Sequence, residues 1–395
     1  MMTRSGTRVA LLDRLPEKQE MQASSAHRAP SIRFYRPELD VLRFCAFLMV
    51  FLGHSMSVYP ESSDWLKALK SIPGFGVPLF FALSAYLVTG LLATEKNLTG
   101  TVNTRFFYSR RILRIWPVYF LLLGIGFAVS RAYGGNGVPG LAVLSYLLLV
   151  GNWYTAQYGY LGFSLGALWS ISIEEQFYLV WPWVVRFATR RLLALICFAA
   201  WICSQLSLLY MCYHHALNNP TIWTSSVVQL QYFAIGAGLS LYLNGSVPTF
   251  RGRLRFAIII GAFLLFLVTV YLFGKDKIRG VEQHSSIAHT YPIYFLGGVS
   301  VLAILIGFLG CASLESWRVF RYLGKISYGL YVYYSVAFAF AARLGDSVRP
   351  NSQLFIIVTA LMVDIGIAWV SYEYFEKPFM RMKERFSIVR SRAVE

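Results

Sequence analysis

Residues 41–58 read VLRFCAFLMVFLGHSMSV, an apolar run of membrane-spanning length that still carries an arginine and a histidine. Arg43 and His54 are eleven positions apart. Eleven helical steps of about 100° return almost to the starting azimuth, so the two side chains share one face, about 16 Å apart. Asp40, three positions before Arg43, lies near the same stripe. Ionisable groups are costly in hydrocarbon, which makes His54 a candidate functional residue. The plainer alternative is a hydrogen bond that packs one helix on another.

Outward from this run, the chain keeps the same character. Its 395 residues are 56% hydrophobic and 14% charged, with a mean hydropathy of +0.53. Soluble domains carry about 25% charged residues, so the chain reads as a polytopic membrane protein. Apolar runs of spanning length recur near 39–59, 73–94, 112–131, 167–187, 192–213, 223–243, 256–273, 291–310, 323–342 and 353–375. Leu141 to Val150 is too short to cross and reads as a re-entrant or half-buried helix. The expected fold is an all-α transmembrane bundle of about ten spanning helices plus that short re-entrant one.

Charge supports the count. With the amino terminus inside and ten crossings, 27 of the 36 lysines and arginines fall in inner segments and 8 in outer ones, Arg43 being inside a helix. A crossing at 141–150 would reverse Arg186, Arg190, Arg191 and every later basic loop. The positive-inside rule therefore places both ends in the cytoplasm of a multi-pass protein. The same distribution excludes nucleic acid as the partner of the +17 net charge, because the basic residues sit in short loops without interleaved stacking aromatics. Residues 1–35 lack a signal-peptide core and read as a cytoplasmic tail; 36–381 form the membrane domain, and 382–395 a second tail. The five cysteines have no CxxC spacing and the loop histidines His214, His215, His284 and His289 no HxxxH, so no metal site is expected.

Three further segments carry chemistry. In RFFYSRRILRIWP, residues 105–117, Arg111 and Arg114 project from one helical face and Arg110 broadens it, a surface suited to phosphate oxygens. In ALWSISIEEQFYLVWP, residues 167–182, Glu174 and Glu175 interrupt an apolar run. They point about 100° apart, so one can meet a substrate or the histidine while the other pairs with a buried arginine; two structural ion pairs are the alternative. In GVPLFFALSAYLVTGLL, residues 76–92, Ser84 and Tyr86 can offer hydroxyl donors to a pocket or to a neighbouring helix. Gly124/Gly126 and Gly236/Gly238 are expected to let helices approach closely.

In order, RPELDVLRFCAFLMVFLGHS, GVPLFFALSAYLVTGLL, FYSRRILRIWPVYF and LWSISIEEQFYLVWP, followed by YLGKISYGLYVYY and YFEKPF, resemble the acyltransferase 3 family of bacterial membrane acyltransferases. The resemblance runs from about Arg36 to Arg381. It implies transfer of an acyl group, often acetyl, from cytoplasmic acyl-CoA as co-substrate to a hydroxyl of a sugar, polysaccharide or lipid-linked glycan at the bacterial inner membrane. By position it makes His54 the essential histidine, Arg43 the buried arginine, Arg111 and Arg114 the donor-side pair, and Glu174 and Glu175 the carboxylates. The resemblance is to the stand-alone subgroup, in which no SGNH-type domain is expected.

Three features depart from the family pattern: Ala85 and Tyr86 stand for glycine and phenylalanine, Tyr334 for a histidine, and Ala167-Leu168 precedes Trp169 where a polar residue is usual. The last two bear on the acceptor, which makes Tyr334 and Trp169 candidate substrate contacts. A thioester is already activated, so catalysis needs a base for the attacking hydroxyl, and histidine suits that role. The rival reading is a transporter or flippase of a polar solute, which also buries histidine, arginine and glutamate along a path.

Overall fold

The computed structural model describes residues 34–56, 72–133, 138–162, 165–214, 219–273, 287–348 and 352–389. The amino-terminal tail up to residue 33, His215 and His284 lie outside them. The described residues are helical, without strands. The longer helices are α1 (Glu38–Met56), α2 (Gly76–Thr99), α3 (Thr104–Tyr133), the short α4 (Gly140–Leu147) and α5 (Gly151–Tyr158), α6 (Leu168–Phe187), α7 (Arg190–Tyr213), α8 (Ser226–Leu243), α9 (Gly252–Phe273), α10 (Ile287–Phe308), the short α11 (Arg318–Lys325), α12 (Ser327–Val348), α13 (Gln353–Val370) and α14 (Lys377–Lys383). A π-helical turn, Ser371–Glu376, joins the last two.

Seven helical stretches among the described residues are long and apolar enough to cross a membrane, those built on α2, α3, α7, α8, α9, α10 and α13. The protein is a multi-pass membrane protein. α1, α6 and α12 are of similar length but fall outside that group. Each gives apolar length away to polar side chains: Asp40, Arg43 and His54 on α1, Glu174 and Glu175 on α6, and tyrosines 328, 331, 333 and 334 on α12. The segment expected to be re-entrant is two short helices, α4 and α5, joined through Leu149, whose φ of 59° lies in the left-handed region.

α2 occupies the centre, with 72% of its apolar window buried against 22% for α9 and 17% for the stretch containing α13. α8 packs on α2 and α7, α9 on α10, α11 and α12 on α1, and α13 on α12. A Cβ on Gly236 would lie 1.9 Å from the Ala82 carbonyl oxygen, so glycine alone lets α8 touch the α2 backbone. Gly126 likewise accepts the Leu165 side chain, whereas Gly124 faces open space and Gly238 makes only ordinary contact. The outer helices expose large apolar residues, among them Leu195, Phe198 and Leu206 on α7 and Leu254, Phe256 and Leu264 on α9. In a multi-pass protein that belt faces lipid.

Candidate active site

His54 stands in the last turn of α1. Its Nδ1 lies 2.9 Å from the Val50 carbonyl oxygen, one turn back. A carbonyl can only accept, so Nδ1 carries the proton and the neutral ring keeps its lone pair on Nε2. The Tyr334 hydroxyl of α12 lies 3.2 Å from Nε2 and donates to it in that tautomer. The two rings sit 4.9 Å apart. His54 is exposed at the protein surface, with its basic atom aimed at the Tyr334 hydroxyl.

From Tyr334 a row of polar groups leads back through the bundle. Tyr331 lies beside Tyr334, the rings tilted by 55° with centroids 6.2 Å apart, and its hydroxyl lies 2.6 Å from Ser170 Oγ on α6. Ser170, Glu174 and Tyr178 follow at intervals of four, so they share one face of α6 and span about 12 Å along it. Glu174 Oε1 accepts hydrogen bonds from Ser84 of α2 and from Tyr178. Over the Tyr178 ring lies the Arg111 guanidinium, 4.5 Å from the centroid, a cation–π contact.

Arg111 opens onto a cavity of about 110 Å³ at the end of the bundle opposite His54. Arg36 and Arg43 line it from one side, Arg110, Arg111 and Arg114 from α3, and Lys325 and Lys383 from the far end of the chain. Among the described residues, Asp40 is the one carboxylate in that lining. Its Oδ1 holds Arg43 Nη1 at 2.9 Å and its Oδ2 the Tyr35 hydroxyl at 2.8 Å. Arg110 is committed elsewhere: Nη2 pairs with the buried Glu95 at 3.2 Å and Nη1 donates to the Phe386 carbonyl at 2.7 Å. Arg111, Arg114 and Lys383 have no ion-pair partner among the described residues. Cations crowded together with so little counter-charge suit a polyanion, which guanidinium groups can grip through paired N–H donors.

The family described as an acyltransferase domain, acyltransferase 3, matches residues 36–372. The chain belongs to that family. Curated relatives of this family member include a provisionally named O-acetyltransferase of Staphylococcus aureus, 27% identical over 372 residues, covering 88% of this chain and 58% of the relative. Others are a provisionally named peptidoglycan O-acetyltransferase of Bacillus subtilis, 26% identical (87% and 55% covered), and the peptidoglycan O-acetyltransferase OatA of Listeria monocytogenes, 24% identical (88% and 56%). This family member therefore spans under three-fifths of the length of those relatives. No solved structure matches it.

The sequence-derived candidates of this acyltransferase 3 member divide in space. His54 and Tyr334 meet at one end, Arg43, Arg111 and Arg114 at the other, and Ser84 with Glu174 between them. Glu175, one step round α6, turns to α3, where Oε2 accepts from Trp116 Nε1 at 3.0 Å. Its Oε1 is buried with no hydrogen-bond partner among the described residues. Neither glutamate pairs with an arginine among the described residues: polar hydrogens of Ser84, Tyr178 and Trp116 take that place. Tyr86 is not brought to Ser84, because a two-residue step turns it about 200° into the core, where it is 2% exposed. Trp169 is buried too, its ring 6.1 Å from that of Trp223. Ser170, Tyr178 and Tyr331 were not among the sequence candidates. Their signal was there, hydroxyls at four- and three-residue spacing around Glu174 and Tyr334.

Proposed function

We propose that this protein is a membrane O-acyltransferase that moves an acyl group, acetyl by the names of its relatives, from a coenzyme A thioester to a hydroxyl of a cell-surface glycan. The observation that carries the reading is the line of polar side chains, hydrogen-bonded in pairs, that leads from His54 Nε2 through Tyr334, Tyr331, Ser170, Glu174 and Tyr178 to Arg111 at the basic cavity. Coenzyme A presents just the two ends such a row needs, a polyphosphate and a distant thioester. Arg111 and Arg114, with Arg43 held by Asp40, take the phosphates, and the pantetheine arm runs past Ser84 and Glu174 towards His54. Ten crossings with both termini in the cytoplasm of a bacterial inner membrane put the basic mouth on the coenzyme's side, which the charge distribution favours.

In the reaction, the acceptor hydroxyl replaces Tyr334 at Nε2. Nε2 takes its proton as the oxygen attacks the thioester carbonyl, the C–S bond breaks, and the imidazolium returns the proton to the departing thiolate. The products are an ester and free coenzyme A, and the histidine is restored. A positioned base of this kind contributes about 10²- to 10⁴-fold in rate. Tyr334 marks the acceptor side, and Glu175 holds α3 through Trp116.

The test uses purified protein in lipid nanodiscs with acetyl-CoA, labelled in the acetyl group, and peptidoglycan-derived glycan. The reading expects thiol release matched by labelled ester on the glycan. Transport of the glycan in proteoliposomes, with no thiol released, would point to a flippase instead.

A further inference from the structure

We infer that Asp364 of α13 is a positioning residue of the acceptor site, which takes the Tyr334 hydroxyl when the acceptor displaces that group from His54. The inference rests on the reading that His54 deprotonates an incoming alcohol. Asp364 is the one ionisable residue of α13, and it is fully buried. Neither of its carboxyl oxygens has a hydrogen-bond partner among the described residues. A buried polar group without a partner is costly, and an acid at lipid depth more so, which asks for a use in another state of the protein.

The packing of α13 on α12 puts that acid beside the site. Ala360, Asp364 and Ala368 recur every four residues and are all fully buried, so they form the edge that α13 turns to its neighbour. Gly329 of α12 lies against Ala368, and Gly345 against Ile356. The two helices therefore run antiparallel. Asp364 stands about a third of the way from Ala368 to Ile356, and the same fraction of the way from Gly329 to Gly345 falls at Tyr334. Consistent with this level, the Asp364 carboxyl acts electrostatically on the Tyr334 hydroxyl.

The two groups have complementary deficits. With Tyr334 donating to Nε2, Asp364 is short of a donor. Once an acceptor hydroxyl occupies Nε2, Tyr334, itself only 4% exposed, is short of an acceptor. Neighbouring Tyr331 offers no exchange, because its hydroxyl is engaged by Ser170 and the Ala167 carbonyl. Turning the Tyr334 side chain from His54 to Asp364 satisfies both groups, and a carboxyl oxygen accepts whether or not it is ionised. Held there, the Tyr334 oxygen keeps a lone pair for a hydroxyl of the arriving glycan. No proton changes owner in this step.

The experiment measures initial rates with acetyl-CoA and peptidoglycan-derived glycan for the wild type, Asp364→Val, Asp364→Asn, Tyr334→Phe and the double variant of valine with phenylalanine. Asp364→Val should raise the acceptor KM about ten- to a hundredfold, the scale of one unsatisfied buried group, and leave the donor KM in place. Asp364→Asn keeps an oxygen that accepts and should recover most of that loss. Added to Tyr334→Phe, the valine should cost nothing further, since no hydroxyl remains to be held. The Tm of Asp364→Val should not fall, because the variant removes a buried polar group that has no partner to lose. An unchanged acceptor KM in Asp364→Val overturns the proposal. A loss that adds in full to that of Tyr334→Phe also overturns it, because it marks a packing role. Should the valine variant not fold, a structure of the wild type with glycan bound decides. The Tyr334 hydroxyl is then expected within hydrogen-bond distance of Asp364, and a hydroxyl still on Nε2 overturns the proposal. A wild type that releases no thiol with the glycan fails the functional reading instead, which is a separate result.

Discussion

At His54 the protein spends two hydrogen bonds on one small ring, and each fixes something different. The Val50 carbonyl sets the tautomer, and the Tyr334 hydroxyl marks where Nε2 expects an alcohol. Tyr334→Phe should accordingly raise KM for the acceptor while leaving KM for the donor in place, since the basic cavity lies at the other end of the bundle; initial-rate kinetics varying each substrate would show it. A shift in donor KM alone would move Tyr334 out of the acceptor's path. The two neighbouring glutamates also separate. Glu174→Gln should cost more turnover than Glu175→Gln, because only Glu174 joins the row facing the cavity, whereas Glu175 braces Trp116. That the pair must diverge was legible from the 100° step between neighbours. Their hydroxyl and indole partners were not, because these lie up to 90 residues away.

Between elements, two contacts decide whether the site can assemble. α8 lies so close to α2 that a side chain at Gly236 would strike the Ala82 carbonyl oxygen, a backbone atom that cannot step aside. Gly236→Leu is therefore expected to destabilise the protein by about 3 kcal/mol, seen as a lowered Tm in detergent. The second contact is Glu95 with Arg110, which ties the end of α2 to α3 and, through Phe386, to the carboxyl segment. Removing one partner of a buried pair costs about 3–5 kcal/mol. Glu95→Gln should thus lower the Tm and expose the chain near 386 to protease. The more open Glu373–Lys377 pair should matter by less than about 1 kcal/mol. Sequence reading found the glycine, whose role is short-range sterics. It missed Glu95, which looks like an ordinary polar residue at the end of a span until Arg110 and Phe386 arrive from elsewhere in the chain.

Across the whole molecule, the three long helices outside the strongly apolar group, α1, α6 and α12, are the ones that carry His54, Glu174 and Tyr334. Concentrating these polar groups on α1, α6 and α12 lets outer helices such as α7 and α9 keep broad apolar faces for lipid. The hydropathy pattern made the bundle readable, and the order of the polar segments made the two ends of the site readable. The row joining them was hidden, because Tyr331 and Ser170 sit 161 residues apart and meet only once α12 and α6 are in place. The central claim is that His54 takes the acceptor's proton while the donor waits, bound by cations at the far end. Single-turnover thiol release by a folded His54→Ala variant tests it most directly, with acetyl-CoA affinity measured alongside. The account predicts a rate lower by about 10²- to 10⁴-fold with donor affinity unchanged. Turnover retained near the wild-type rate would contradict it.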